Sequence, residues 1–402
     1  MKKTPLHSFC FWVMFFLFAA PFCFSQDFGL IVNQKALLAD EDTSSAAIEY
    51  TGTAIPWLAA PLGGKADLYV SGGLSAHYDD EAWKSLPELY RSEISVNPGP
   101  GFRLEIGRIP FRESLSFVCA GLFDGLSAGF TVGGGRLRTG LFYTGLLYKK
   151  AAYIYMSPAD QADYSNKDSY FASRRFIAAL TWEKTSVFNT LGGLSFSGLC
   201  QFDLNDTETR IHSQYLEAQY TAPLGARFNT VSGAVIEAAE ESGKDPYAAF
   251  ALSAEIQWLL PTALSDVLTI GVRFSSGAWN DGLGVFIPVT AEAQGKILRP
   301  MFSGIALAEA AYSARLHRTL QAMVSGAYYL RTDKSTYRSP GMDASSASPL
   351  LGAEFYGALN FSPFHDLLFS LGGGVFLPQT GKVFSADTGI KYRLELTAGI
   401  SL

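Results

Sequence analysis

The chain has 402 residues, of which 48% are hydrophobic, 14% aromatic and 17% charged, with 39 glycines and a formal net charge of −6. An acidic balance of this kind argues against nucleic-acid binding, which needs a basic patch or stripe. Its 4 cysteines show no CxxC or other metal spacing, which leaves no cysteine metal site.

The first residues set the compartment. Lys2 and Lys3 precede an apolar run from Phe9 to Phe24, with a small-x-small site at Cys23 and Ser25. This pattern reads as a secretory signal peptide, residues 1–25, cut before Gln26. A lipoprotein reading of Cys23 is disfavoured by Pro21 and Phe22, where small residues would be expected. A membrane anchor would need about 20 apolar residues. Cleavage removes Lys2 and Lys3 and no acid, so the net charge falls from −6 to −8. It leaves Cys119, expected in a loop, and Cys200, expected as a small wall residue, so at most one disulfide could form.

Residues 26–402 read as a second, single domain of alternating strands and turns. Strong alternation bounded by Gly, Pro, Asn, Asp and Ser predicts strands near 28–38, 46–59, 65–76, 87–96, 102–108, 124–132, 136–147, 174–186 and 190–204. It predicts further strands near 212–221, 226–239, 247–260, 266–276, 302–315, 319–331, 350–361, 366–377 and 387–402. The last shows the pattern most cleanly. Tyr392, Leu394, Leu396, Ala398, Ile400 and Leu402 form one face, and Lys391, Arg393, Glu395, Thr397 and Ser401 the other. One alternating strand also suits a soluble sheet, but repetition over the whole chain predicts an all-β fold, a transmembrane antiparallel β-barrel.

Connection lengths alternate as well. PLGGK, NPGPG, GGG, APLG and SPFHD are short, whereas the segment around Ala82, 109–123, 148–173, 277–301 and 332–349 are long. Outer-membrane barrels have short periplasmic turns and long outer loops. Taking GVFIPVTAEAQGKI as a strand gives nineteen and puts the loop after Arg331 on the wrong side, so 277–301 is read as one loop. Eighteen strands are therefore expected, with sixteen the next choice and no plug domain ahead of the first strand.

The polar face of the strands is the expected lumen. It carries Arg91, Glu93, Arg103, Glu105, Arg136, Arg138, Arg273, Glu354, Arg393 and Glu395. Arg or Lys on the lipid face near the midplane costs about 2–4 kcal/mol, which fixes the register. A barrel this wide is not filled by wall side chains, so a loop must do any narrowing. The candidate is 109–123, whose apolar centre is flanked by Arg108, Arg112, Glu113 and Asp124. Folded inward, it forms a constriction with opposed charges; otherwise it packs on the inner wall, or part of it is strand. Arg91, Arg103, Arg136 and Arg138 suggest a basic ladder. A compensated network is favoured over it, with Arg103 diagonal to Glu93 and Arg91 diagonal to Glu105.

Enzymatic chemistry finds little support. His77, His212, His317 and His365 are the available histidines, and Ser213 beside His212 points to the opposite face of its strand. No catalytic, cofactor or metal residue is assigned. GGG at 133–135 is a turn, since no helix follows it. Strand-end aromatics, including Trp57, Tyr143, Trp182, Trp258 and Tyr328, are expected in interfacial girdles.

LEIGRIPF followed by GLFDGLSAGF, with strands to the last residue, resembles large single-chain outer-membrane porins, including eighteen-stranded alginate-export and specific-substrate types. FGLIVNQ at the barrel's opening looks like outer-membrane proteins of spirochaetes. The architectural resemblance covers 26–402 and the local motif only about 104–130. It implies passive diffusion of small polar solutes across the outer membrane, with lipid and the barrel-assembly machinery as partners and homo-oligomerisation left open. The chain departs from the usual terminal aromatic, ending in Leu402. The alternative expectation is a surface-exposed structural or adhesin-type barrel whose long loops bind partners.

Overall fold

A computed structural model describes residues 26–40, 47–79, 82–187, 191–279 and 282–402. The expected signal peptide lies outside the described residues. Eighteen strands follow in chain order. The first nine are β1 (Asp27–Asp40), β2 (Ala47–Pro61), β3 (Ala66–Asp79), β4 (Trp83–Gly99), β5 (Phe102–Arg112), β6 (Ala120–Val132), β7 (Gly135–Tyr143), β8 (Arg175–Val187) and β9 (Gly192–Asp203). The rest are β10 (Ile211–Leu224), β11 (Phe228–Glu241), β12 (Tyr247–Leu259), β13 (Val267–Ser275), β14 (Ile305–His317), β15 (Leu320–Arg331), β16 (Leu350–Phe364), β17 (Leu367–Pro378) and β18 (Lys391–Ser401). Two short helices, α1 (Lys149–Ala152) and α2 (Pro158–Ser165), lie between β7 and β8. Each strand pairs antiparallel with its chain neighbours, and β1 pairs with β18 from Ile31 opposite Ser401 to Asp40 opposite Tyr392. The sheet is thus closed and has no free edge.

Alternation sets the two faces. Leu180, Leu216, Ile236, Val324 and Leu394 point out and are exposed on the isolated chain, while Thr181, Glu217, Glu237 and Ser197 on the other face are buried. Buried polar positions on the inner face mean that something other than water covers them. Among the described residues no helix is long and apolar enough to cross a membrane; the strands, 9 to 17 residues long, match the length a tilted transmembrane strand needs. The long connections all lie at one end, where the β3–β4 connection around Ala82, expected to be long, is short because β3 runs on to Asp79 and β4 begins at Trp83; 284–297 belongs to the long connection between β13 and β14 rather than to a strand.

The expected loop 109–123 resolves into something more specific. β5 runs on to Arg112 and β6 begins at Ala120, so only 113–119 is non-strand. β4 pairs with β5 no further than Ser92 opposite Arg108, and β7 pairs with β6 no further than Tyr143 opposite Asp124. Residues 109–112 and 120–123 therefore pair only with each other. Part of the stretch is strand: it is a two-stranded hairpin whose ends pair with neither wall neighbour. Gly107 and Gly125 are register partners at its root. Gly107 has a φ of 125°, and a Cβ there would strike the Ser92 carbonyl; one on Gly125 would strike the Leu141 carbonyl. Glycine is what lets both strands bend at this point.

The hairpin leads into a core inside the long-loop half of the barrel. Ile109, Phe111 and Phe123 pack with Phe142 of the wall, and Val118 and Cys119 continue into a cluster with Ile154 and Met156. Phe286, Val289 and Phe302 join it from the β13–β14 connection, and Val383 and Phe384 from the β17–β18 connection. Cys200, partly exposed on the outward face, is the wall residue expected, and Cys119 lies in the hairpin tip.

Gly107→Ala is expected to cost about 1–3 kcal/mol, because the left-handed backbone is strained for any Cβ. A lower urea midpoint of the folded band on unheated gels would show it; an unchanged midpoint would show that the root of the hairpin is not fixed by glycine.

Candidate functional site: the partitioned lumen

The hairpin tip leaves its own part of the wall and docks on β9, β10 and β11, several strands further round the barrel. The Leu115 N–H donates to Glu217 Oε1 (3.0 Å) and Gln219 Nε2 to the Ser114 carbonyl (3.3 Å), both on β10. Ser114 also meets Ser195 of β9, and the Leu115 side chain fills the space a Cβ on Gly233 of β11 would take. From the opposite side comes the 276–304 connection. Val289 N–H donates to the Val118 carbonyl (2.8 Å), Ala120 N–H to Thr290 Oγ1 (2.9 Å) and Ala291 N–H to the Tyr153 carbonyl (2.9 Å). Connections from well-separated parts of the wall therefore meet over the lumen.

Wall carboxylates hold this partition. Glu237 Oε2 accepts from the Ile287 N–H (2.8 Å), while Tyr215 donates to the Ile287 carbonyl (2.6 Å). Glu354 accepts from the N–H groups of Lys296 (2.7 Å), Ile297 (3.0 Å) and Leu298 (3.0 Å). Arg273 Nη1 donates to Gln294 Oε1 (2.8 Å). A loop inside a barrel brings backbone donors with no ladder to satisfy them, and carboxyl oxygens on the wall meet that need.

The four residues expected at the constriction are not brought together. Glu113 is buried and turns back on the tip, accepting from the N–H groups of Val118 (2.9 Å) and Cys119 (3.1 Å). Burial pushes its carboxyl above the usual range, against the pull of those donors. Arg108 and Asp124 form a two-pronged pair (2.8 Å each), and Arg108 also donates to the carbonyls of Leu89 (2.6 Å) and Leu146 (3.0 Å). They share the strand parity of outward-facing Ile106 and Leu126. Their place is the seam left where the hairpin departs from β4, so they seal the wall rather than line the pore. The one-residue period of a strand made the difference, since Arg108 falls on the face opposite Ile109. Arg112 alone faces the open space above the hairpin.

The expected lumen charges fall into three groups. Arg91 pairs with Glu93 (2.6 Å), Glu105 takes Arg103 (2.8 Å) and Arg138 (3.3 Å), and Glu395 takes Arg393 (3.0 Å) and Lys35 (3.1 Å). Each of these cations has a carboxylate partner, with Glu105 and Glu395 each shared by two, and the partners of Arg91 and Arg103 lie two residues along their own strands. β4 runs to Gly99 with an irregularity after Val96, which places Ser95 opposite Glu105 and breaks the diagonal register expected. Arg273 and Glu354 face inward but are spent on the 276–304 connection, and Glu354 is only 4% exposed. Arg136 stays exposed near the short-turn end, opposite Glu183. Trp57, expected in a girdle, instead shares the inward parity of Thr51 and stacks with Tyr69 (6.2 Å, 16°); Arg91 lies 4.7 Å from the Tyr69 ring centroid.

The sequence reading missed the strongest buried ionic group. Arg175, 0% exposed, pairs with Asp203 (2.7 Å) and with Asp160 of α2, and donates to the Ile211 carbonyl (3.1 Å). Ser157 and Asp160 cap α2 reciprocally, and the S-P-A-D run is a legible capping signal inside a stretch taken as featureless. Above the partition lies an open cavity of ≈ 580 Å³, lined by Arg112, Tyr155, Tyr164, Glu292, Arg299 and Lys391 among others.

Solved structures share this architecture. The outer membrane protein OpdK of Pseudomonas aeruginosa matches at 11% identity over 94% of this chain and 99% of that one, with a TM-score of 0.63. The fold is that of outer-membrane porins. OccK5 (OpdH) of the same organism matches at 12% identity over 94% and 98%, TM-score 0.61. OccK2 (OpdF), solved in complex with glucuronate, matches at 14% identity over 94% and 97%, TM-score 0.61. No protein-family model matches the sequence, and no curated protein does.

Arg175→Met leaves Asp160 and Asp203 buried without their cation, an expected loss of about 3–5 kcal/mol. Adding Asp160→Asn and Asp203→Asn should restore part of it. Urea unfolding of the refolded barrel checks both; equal midpoints for wild type and Arg175→Met would count against the triad.

Proposed function

We propose that this chain is an outer-membrane channel through which small polar solutes diffuse, narrowed by the 109–123 hairpin. One observation carries the reading: the hairpin pairs with neither wall neighbour and its tip docks on Glu217, Gln219 and Gly233, several strands further round the wall. A segment withdrawn from its own strands and braced on another part of the wall narrows the bore. The wall toward the short turns stays polar, with partly exposed Lys35, Arg91, Arg103 and Arg138 each set against a carboxylate. The fold's likeness to OccK2 with glucuronate, and to OpdK solved with vanillate, supports small polar solutes as cargo and the outer membrane as location. The periplasmic side is assigned to the short turns, and the signal peptide to 1–25.

A second reading has its own support. Phe286, Phe302, Phe376 and Phe384 are each at most 2% exposed, so the long-loop half is packed as tightly as a soluble core. That suits a sealed barrel presenting its loops to a partner.

Planar-bilayer recordings separate the two. The channel reading expects discrete, stable conductance steps from the refolded protein and larger steps once Ser114–Val118 is excised. A wild type that passes no current while the excised variant conducts would establish the sealed barrel instead. Because Arg91, Arg103, Arg138 and Arg393 each have a carboxylate partner, cation-to-anion selectivity of the steps should be weak; strong anion preference would revive the basic ladder.

A further inference from the structure

The contact between the hairpin tip and the wall is built from acids with no base among them. Glu113 of the tip is 3% exposed, Glu217 of β10 5% and Glu237 of β11 0%. Among the described residues none of the three makes an ion pair, although carboxylates elsewhere on the inner wall do so repeatedly. Glu113 and Glu217 lie close enough to act on one another across the contact.

The groups around them supply no positive charge. Cys119 on the hairpin, Tyr215 on β10 and Tyr247 on β12 feel these carboxyls and are themselves acids. β9 sets Ser197 and Ser195 opposite Glu217 and Gln219, and β11 sets Val235 and Gly233 there. The 276–304 connection meets the hairpin through Val289 and Thr290, which are uncharged. The arginines of the hairpin and its root are turned elsewhere. Arg112 lines the open cavity, Arg108 is taken by Asp124, and Arg138, beside Phe111, is taken by Glu105 and the Pro110 carbonyl.

A carboxylate withdrawn from water with no counter-ion is strongly disfavoured, and two neighbouring carboxyls resist ionising together. Burial already holds the Glu113 carboxyl above its usual range. Against that cost the tip has few holds on the wall: Leu115 N–H on Glu217, the Ser114 carbonyl on Gln219, Ser114 on Ser195, and the Leu115 side chain over Gly233. Residues 113–119 belong to no strand, so the tip is free of any ladder that would keep it in place.

We propose that the hairpin tip is a proton-operated gate, docked while Glu113 and Glu217 hold at least one proton between them and released from β9, β10 and β11 when both ionise. On release both carboxyls return to water and to ordinary carboxylate behaviour, so the docked state binds more protons than the released one. Docking is therefore complete in acid and weakens as the pH rises past the ordinary carboxylate range, by up to about tenfold per pH unit for each extra proton the docked state holds. The bore is narrow in acid and wide in base. The gating rests on the channel reading, whereas docking of the tip does not depend on whether current passes.

A spin label at Ser116→Cys, in the full refolded chain with Cys119 and Cys200 replaced by alanine, reads the tip, and bilayer recordings of the unlabelled protein read the bore. Between about pH 5 and pH 10 the label should pass from an immobile to a mobile spectrum. Over the same range the conductance step should grow toward that of the barrel lacking Ser114–Val118, whose own step should stay constant. Glu113→Gln/Glu217→Gln keeps acceptors for the same N–H groups and cannot ionise, so its label should stay immobile and its step small throughout. Glu113→Gln alone removes one of the two charges and should move the transition to higher pH and flatten it, which keeps the test decisive if the double variant does not fold. A label equally immobile at every pH in the wild-type background, a full transition in either folded variant at the wild-type pH, or a tip that is released while the step stays the same would each overturn the gate. A transition that depends on Glu113 and Glu217 in a barrel that passes no current upholds the proton-dependent docking and removes the channel.

Discussion

Carboxylates on the inner wall that accept backbone N–H groups from inward-folded segments are the interaction on which the interior of this barrel depends. A closed sheet of eighteen strands is too wide for its own side chains to fill. Segments of the chain must enter, and each brings donors that no strand satisfies. Glu217, Glu237 and Glu354 supply acceptors at three places on the wall. A buried backbone donor left without an acceptor costs about 1–3 kcal/mol, so each wall carboxyl that meets one favours the docked segment over a free loop.

From that constraint the division of the molecule follows. The long-loop half is a packed core in which the phenylalanines of three connections meet the wall, and the short-turn half keeps a wet, mixed-charge surface. The hairpin at 109–123 is the boundary between them. Its departure from the wall leaves a seam between β4 and β7, which Arg108 closes with side-chain bonds where strand pairing is missing. Charge expected in the pore is therefore structural, and the one charge of that group left over the cavity, Arg112, belongs to the mouth.

The strands, their count and their faces were legible because alternation repeats in every segment and a slip of one residue would put charge against lipid. GVFIPVTAEAQGKI was legible as a loop only through the parity of connection lengths. The candidate site was read in outline: the residues that leave the ladder are those of the expected loop, but Arg108 and Glu354 took other roles. Strand period gives a side chain's face, not which distant segment covers it. Arg175, Asp160 and Asp203 went unread because their pairing spans β8, α2 and β9, and nothing local marks such a group. The Arg91–Glu93 and Arg103–Glu105 pairs were anticipated in kind and missed in register, since the irregularity after Val96 leaves no periodic trace.

The central claim is that the hairpin leaves the wall and its tip rests inside the barrel on β11. The direct measurement pairs Leu115→Cys with Gly233→Cys in a chain whose Cys119 and Cys200 are replaced by alanine, and follows disulfide formation in the refolded barrel. Because the Leu115 side chain occupies the position of a Gly233 Cβ, the bond should form rapidly under mild oxidant, and the linked barrel should conduct like the unlinked one. If no bond forms and the cysteine at 115 instead reacts freely with a bulky, membrane-impermeant thiol reagent, the tip is an exposed loop and the partitioned lumen is contradicted.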